Sequence, residues 1–165
     1  MIDWIKARRS IRRYTAQPVT NDEIEMLLEA AMAAPSASNL KPWEFVVVRE
    51  AHLREELSRV HRWSDMAAEA PVVFVVSGRP EDSHHWVEDC SAATQNLLLA
   101  ATALGLGSVW VAMYPGTERE EKVRQLLHLP EGWRTLCILP VGYPAEHKAS
   151  RTQYDPAHVH FDRLE

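Results

Sequence analysis

Apolar positions along the chain recur with two periods, and the switches between them divide it into alternating helices and strands. Residues 2–9 open with a short amphipathic stretch that sets Ile2 and Ile5 on one side. Thr20 and Glu23 form a capping-box pattern, in which each side chain can satisfy a backbone N–H of the other. Ile24, Leu27, Leu28 and Ala31 then follow at i, i+3, i+4 and i+7, one face of a helix that Pro35 stops. Residues 45–48 are an apolar run rich in β-branched side chains, which predicts a strand. Leu53, Leu57 and Val60 mark a second helix, and Pro71 introduces a buried strand over 72–76. A long helix runs from 86 to 104 and closes at Gly105. A strand over 108–112, a helix over 118–127 and a strand over 135–141 complete the order. The pattern predicts alternating helices and strands, with helices packed on a sheet. With no internal repeat, low-complexity tract or linker, residues 1–165 read as a single domain.

Two segments do not suit an isolated chain. In the 86–104 helix, Cys90, Ala93, Leu97, Ala101 and Leu104 make one stripe, while Leu98, Leu99 and Ala100 spread around the rest. A helix apolar on most faces is buried on most faces. Residues 144–165 show no helical period and little apolar mass beyond Tyr154, Val159 and Phe161. Such a tail either frays or lies along another surface. The pair points to a homodimer in which the tail embraces the partner, with a frayed end as the alternative.

Composition sharpens this in one place. Hydrophobic residues are 46% and charged ones 25% of the chain, the balance of a globular protein. Its 18 Lys and Arg against 23 Asp and Glu leave a net charge of -5, which argues against a general nucleic-acid surface. Yet Lys6, Arg8, Arg9, Arg12 and Arg13 crowd together, with the Ser10 hydroxyl among them. Guanidinium groups present paired donors that suit phosphate oxygens, and in an extended stretch Arg8, Ser10 and Arg12 point one way. Alone, the cluster reads equally as a solvated charged face or a basic arm for nucleic acid. Cys90 and Cys137 sit in apolar runs, as reduced core cysteines of a cytosolic protein do. The N-terminus lacks the apolar core of a signal peptide, and no apolar run approaches the roughly 20 residues of a membrane span. The expectation is a cytoplasmic protein that does not enter the membrane.

Residues 34–43, Ala-Pro-Ser-Ala-Ser-Asn-Leu-Lys-Pro-Trp, combine small residues, two prolines and amide or hydroxyl groups. They predict a fixed loop able to approach a flat ligand, with Asn39 as donor and acceptor and Trp43 entering the core. Other motifs point away from rival chemistries. Gly105-Leu-Gly107 lacks a third glycine and precedes a strand, unlike a dinucleotide loop. His84-His85 and His158-Val-His160 lack helical ligand spacing or a cysteine partner, so no metal site is expected. No G-x-S-x-G nucleophile motif occurs, and no side chain is marked as catalytic.

Taken together, Arg8-Arg9-Ser10-Ile11-Arg12-Arg13-Tyr14, then Ala34–Asn39 with Lys41-Pro42-Trp43 and the valine run, resemble the FMN-dependent nitroreductase family. Residues 89–101, 104–110 and 139–146, with Lys148 and Arg151, extend the resemblance over nearly the whole chain. It implies an α+β, nitroreductase-like fold, a mixed sheet packed by helices, and a homodimer with a swapped C-terminal tail and FMN at the subunit interface. Arg8, Arg9, Ser10 and Arg12 would meet the phosphate and ribityl chain, and Lys148 and Arg151 would complete the clamp. Pro35, Ser36, Ala37 and Asn39 would reach the flavin from the other subunit. Trp110, Val111, Ala112 and Met113 would line one side of the ring, with the Ala112 N–H on flavin N5. Arg13 is expected in solvent, Trp63 or Trp86 at the substrate cleft, and the acid Asp65 keeps the 60s out of the flavin site. The implied reaction is ping-pong: NADH or NADPH delivers hydride to N5, and a nitroaromatic, quinone or related small-molecule acceptor then takes it. A flavin-binding carrier or sensor without turnover is the alternative; a basic-armed nucleic-acid module is a third.

Overall fold

The capping box forms as the sequence predicts. In the computed structural model, which describes residues 2–164, the Glu23 N–H donates to Thr20 Oγ1 at 3.2 Å. The Thr20 N–H donates back to Glu23 Oε2 at 2.8 Å. This starts α2 (Asn21–Met32), which follows a short α1 (Ile2–Ala7). The chain continues through β1 (Trp43–Val48), α3 (Ala51–Ser58), β2 (Val72–Gly78) and α4 (Trp86–Ala103). It ends with β3 (Gly107–Ser108), β4 (Val111–Ala112), α5 (Thr117–Leu126) and β5 (Arg134–Gly142).

The strands form one sheet in the order β1-β2-β5-β3, with β4 also on β5, and these pairs are antiparallel. A parallel bridge between Ser10 and Ser108 makes the sheet mixed. Both faces are covered, which is why the valine runs are apolar without alternation. Val72, Phe74 and Val76 pack in the layer of α2 and α4 with Leu27, Cys90 and Leu97. Val73 and Val75 point oppositely, toward Leu57, Met66 and Val123. Each such side chain, fully buried, is worth roughly 1.5–3 kcal/mol. Cys90 and Cys137 are buried and unpaired with each other, and burial pushes the Cys90 thiol up to about 12. Trp43 is buried as expected.

The 108–112 strand is broken into β3 and β4, and Pro140 explains the gap. The Val109 N–H donates to the Pro140 carbonyl at 3.3 Å, but proline has no N–H to return. A bulge in β5 beyond Cys137 leaves the Leu136 carbonyl to accept from both Met113 and Tyr114. Among its described residues the tail holds only a short 3-10 turn at Pro156–His158, and residues 151–164 are exposed. Tyr154 and Phe161 keep 74% and 87% of their surface in solvent, so their apolar groups find no seat on their own chain. No helix among the described residues is long and apolar enough to cross a membrane.

Candidate functional site

After α1 the basic segment lies along the sheet edge. Besides the Ser10 bridge, the Ile11 N–H donates to the Ser108 carbonyl at 3.0 Å. Gly107 permits this approach, since a Cβ there would stand 2.6 Å from Ile11 Cγ2. The segment then turns back to a bridge between Tyr14 and Pro144. The Tyr14 hydroxyl lies 2.7 Å from the Ile11 carbonyl and 3.1 Å from that of Pro140. Burial, reinforced by Glu146, raises its pKa and keeps the phenol protonated.

That turn leaves the next part of the edge open. Val109 and Met113 both direct their N–H groups to β5, so by antiparallel alternation those of Trp110 and Ala112 face outward. They border a cleft of about 690 Å³, within the range of small-molecule sites. Arg12, Trp110, Val111 and Ala112 line one part of it, and His61, Trp63, Asp65, Met66 and Arg119 the rest. The stretch set aside because of Asp65 is therefore part of the wall. Trp63 stands there 64% exposed, whereas Trp86 is buried edge-on to Tyr114, with ring centroids 4.9 Å apart. The Met113 side chain is fully buried in the core below β4.

The cations divide into two kinds. Lys148 is engaged: Nζ donates to the Ser10 carbonyl at 2.6 Å and lies 3.2 Å from Glu146 Oε1. Glu146 also accepts from the Arg12 N–H at 2.6 Å. That N–H holds its carboxyl below the usual range against the opposing effect of burial, with Lys148 assisting. Arg8, by contrast, has its pKa lowered by burial and then by Arg151 and Arg9. The Arg151 N–H donates to the Lys6 carbonyl at 3.1 Å, and an Arg9 guanidinium N–H to the Ala149 carbonyl, which together draw the tail alongside. Among the described residues, Arg8, Arg9, Arg12 and Arg151 form no ion pair with a carboxylate. Arg13 is exposed, as expected.

Residues 35–41 stand apart from this cleft. Ser38, Asn39 and Lys41 take positive φ of 50°, 56° and 52°. The loop is tied to α4, where the buried Asp89 accepts from the Ala37 N–H at 2.9 Å and from the Ser83 hydroxyl at 3.1 Å. Pro35 and Asn39 are exposed, Ser36 and Ala37 half-buried. Among the described residues, the loop's hydrogen bonds run within itself and to Asp89, and none reaches 8–12 or 110–113. Arg119 is the residue no sequence pattern indicated. Its guanidinium donates to the Met113 and Pro115 carbonyls and so props the end of β4. No group of three or more His, Cys, Asp or Glu among the described residues could hold a metal ion.

The comparisons agree with this architecture. The family model described as "Nitroreductase family" matches residues 5–64 and 58–143. A protein of Methanothermobacter thermautotrophicus, provisionally named NADH dehydrogenase/NAD(P)H nitroreductase, is 41% identical over 166 residues, 99% of this chain and 87% of its own. A Vibrio harveyi NADPH-flavin oxidoreductase is 31% identical over 96% of this chain and 71% of its own. Among solved structures, an FMN-dependent nitroreductase of Clostridium difficile R20291 superposes with a TM-score of 0.94 at 33% identity, covering 99% of this chain and 100% of its own. A family match over most of the chain, and relatives aligned nearly end to end on the same sheet and helices, place it without remainder: the chain belongs to the nitroreductase family.

Proposed function

We propose that this protein is an NAD(P)H-dependent flavin oxidoreductase that holds FMN in the cleft beside β4 and works as a homodimer of single-domain subunits. The observation that carries the reading is one juxtaposition. Among the described residues, the guanidinium groups of Arg8, Arg9 and Arg12 meet no carboxylate, and Arg12 brings this segment to a ligand-sized cleft bordered by the open N–H groups of a strand edge. The donor set fits the cofactor: Arg8 lies in the field of Arg151 and of Arg9, a charge arrangement that a phosphate dianion relieves. Ser10 and Arg12 continue the same segment toward the ring site.

When bound, FMN supplies the redox chemistry, with N5 accepting hydride from NADH or NADPH and giving it up to a nitroaromatic, a quinone or a related acceptor. The chain's part is binding and orientation. The Ala112 N–H points into the cleft, where it can donate to a ring nitrogen without any polar side chain. Val111 and Trp110 give the ring an apolar wall, and Lys148 holds the Ser10 carbonyl, which fixes the segment's path. Ile2, Trp4 and Ile5 of α1 and the tail's Phe161 are exposed apolar groups, and Pro35 and Asn39 of the loop are exposed as well. This supports a dimer in which the loop and tail serve the partner's cleft.

Purified protein should be yellow and release FMN on denaturation. It should oxidise NADH or NADPH with a quinone or nitroaromatic present. Because both substrates use one open cleft in turn, initial-rate plots should be parallel. A colourless protein that neither binds FMN nor oxidises either nucleotide overturns the reading, and intersecting lines overturn the shared cleft.

A further inference from the structure

Beside the cleft lies a groove of about 450 Å³ at the start of α5, bordered by His61, Arg62, Arg119, Lys122 and Glu118. His61 and Arg119 border both spaces, so the two are neighbours. The charges in the groove are unevenly matched. Lys122 Nζ lies 2.7 Å from Glu118 Oε1 and is paired. Arg119 spends Nε and Nη2 on backbone carbonyls, which hold its head in place without neutralising it. Arg62 stacks over Trp63, its guanidinium carbon 5.2 Å from the ring centroid. Among the described residues, neither Arg62 nor Arg119 meets a carboxylate. His61 Nδ1 accepts the Trp63 N–H at 3.2 Å, which leaves a neutral ring's proton on Nε2. Burial first, then Arg119 and Arg62, lower its pKa and favour that neutral donor.

On the reading that the protein is an NAD(P)H-dependent oxidoreductase, we propose that His61, Arg62 and Arg119 form an anion subsite for a phosphate group of the pyridine nucleotide. A molecule that reacts beside Ala112 and also reaches this groove must be long and carry negative charge far from its reacting ring. A pyridine dinucleotide does both; small quinones and nitroaromatics do neither. The phosphate has two sources, the pyrophosphate common to both nucleotides and the 2′-phosphate of NADPH alone.

The test uses the FMN-loaded protein, Arg62→Gln, and Arg59→Gln as control; Arg59 is paired with Glu55 and Glu56 outside the groove. Arg62 is exposed, so its replacement leaves the core untouched. In titration calorimetry, 2′,5′-ADP or ADP should bind about tenfold more weakly to Arg62→Gln, the loss of one charge-assisted contact, with Arg59→Gln close to the parent. In steady state, Arg62→Gln should raise KM for the nucleotide more than it lowers kcat. A rise for NADPH alone assigns the 2′-phosphate; a rise for both nucleotides assigns the pyrophosphate. Unchanged nucleotide KM and probe affinity with FMN still bound, or a rise confined to the acceptor's KM, overturns the subsite and leaves the oxidoreductase reading standing. A parent protein that holds FMN but accepts hydride from neither nucleotide overturns both.

Discussion

Substituting Gly107→Ala tests how the basic segment is held to the sheet. The added Cβ would lie 2.6 Å from Ile11 Cγ2 and 2.8 Å from Ile11 Cβ, against about 3.5–4.0 Å for relaxed carbon contacts. The segment must retreat by about an ångström, which takes the 3.0 Å bond from the Ile11 N–H to the Ser108 carbonyl out of range. Overpacking of this kind costs about 1–3 kcal/mol, and the lost hydrogen bond about 1 kcal/mol more. At roughly 2–4 °C per kcal/mol for a chain of this size, the drop in Tm is measurable. Urea unfolding of the flavin-free protein gives the stability, and quenching of FMN fluorescence gives the affinity, which falls too because Arg8 and Arg12 ride on the same segment. Ile11→Ala alone costs about 2–4 kcal/mol as a buried truncation. In that background the contacts with Ile11 Cγ2 and Cγ1 are gone while the 2.8 Å approach to Cβ stays, so the Gly107→Ala penalty should shrink without vanishing, a coupling of about 1 kcal/mol. A single Gly107→Ala variant within about 0.5 kcal/mol of the parent, or a penalty undiminished in the double variant, refutes the contact argument.

Arg151→Ala relieves Arg8 of a like charge. The flavin-free protein should lose no stability while FMN affinity drops about tenfold or more, and a matching loss of both means that Arg151 is structural only. Thr20→Ala should cost about 1 kcal/mol in urea unfolding through the capping box, and a neutral variant contradicts that assignment. Glu146 has a depressed folded pKa, so its contribution is complete above the ordinary carboxylate value of about 4.3 and is lost as pH falls through the lower folded value. Glu146→Gln should flatten that acid limb, and parallel limbs in parent and variant exclude this group as its source. Mixed dimers of Asn39→Ala and Arg12→Ala subunits should regain one intact site, and a failure to recover counts against service across the interface.

The α2 start, the valine strands and the long α4 were readable because each rests on a local rule: a capping box, a β-branched run, a 3.6-residue period. The break at 109–110 was not, because its cause lies on another strand, in the N–H that Pro140 lacks. The cationic segment was visible from charge alone, and so was the fixed loop from its prolines and small residues. Sequence could not show that Lys148 is engaged by Glu146 while Arg8 faces Arg9 and Arg151, since that sorting depends on how the tail folds back. Nor could it show that 61–66 and Arg119 meet at one cleft. Asp65 suggested the opposite, because a carboxylate's sign speaks against a bound anion only when its reach is known.

The open edge at Trp110 and Ala112 also bears on how the protein keeps to itself. Unpaired strand edges are templates on which a neighbouring chain can add a strand and begin to aggregate. This one offers outward N–H groups at only two positions. Segment 10–11 covers it on one side, the Tyr114–Pro115 step ends it on the other, and Arg12 stands at its mouth. A docking strand needs a run of alternating donors and acceptors; a flat heterocycle needs one or two. The short exposed edge therefore discriminates by length, open to a small acceptor and closed to a polypeptide.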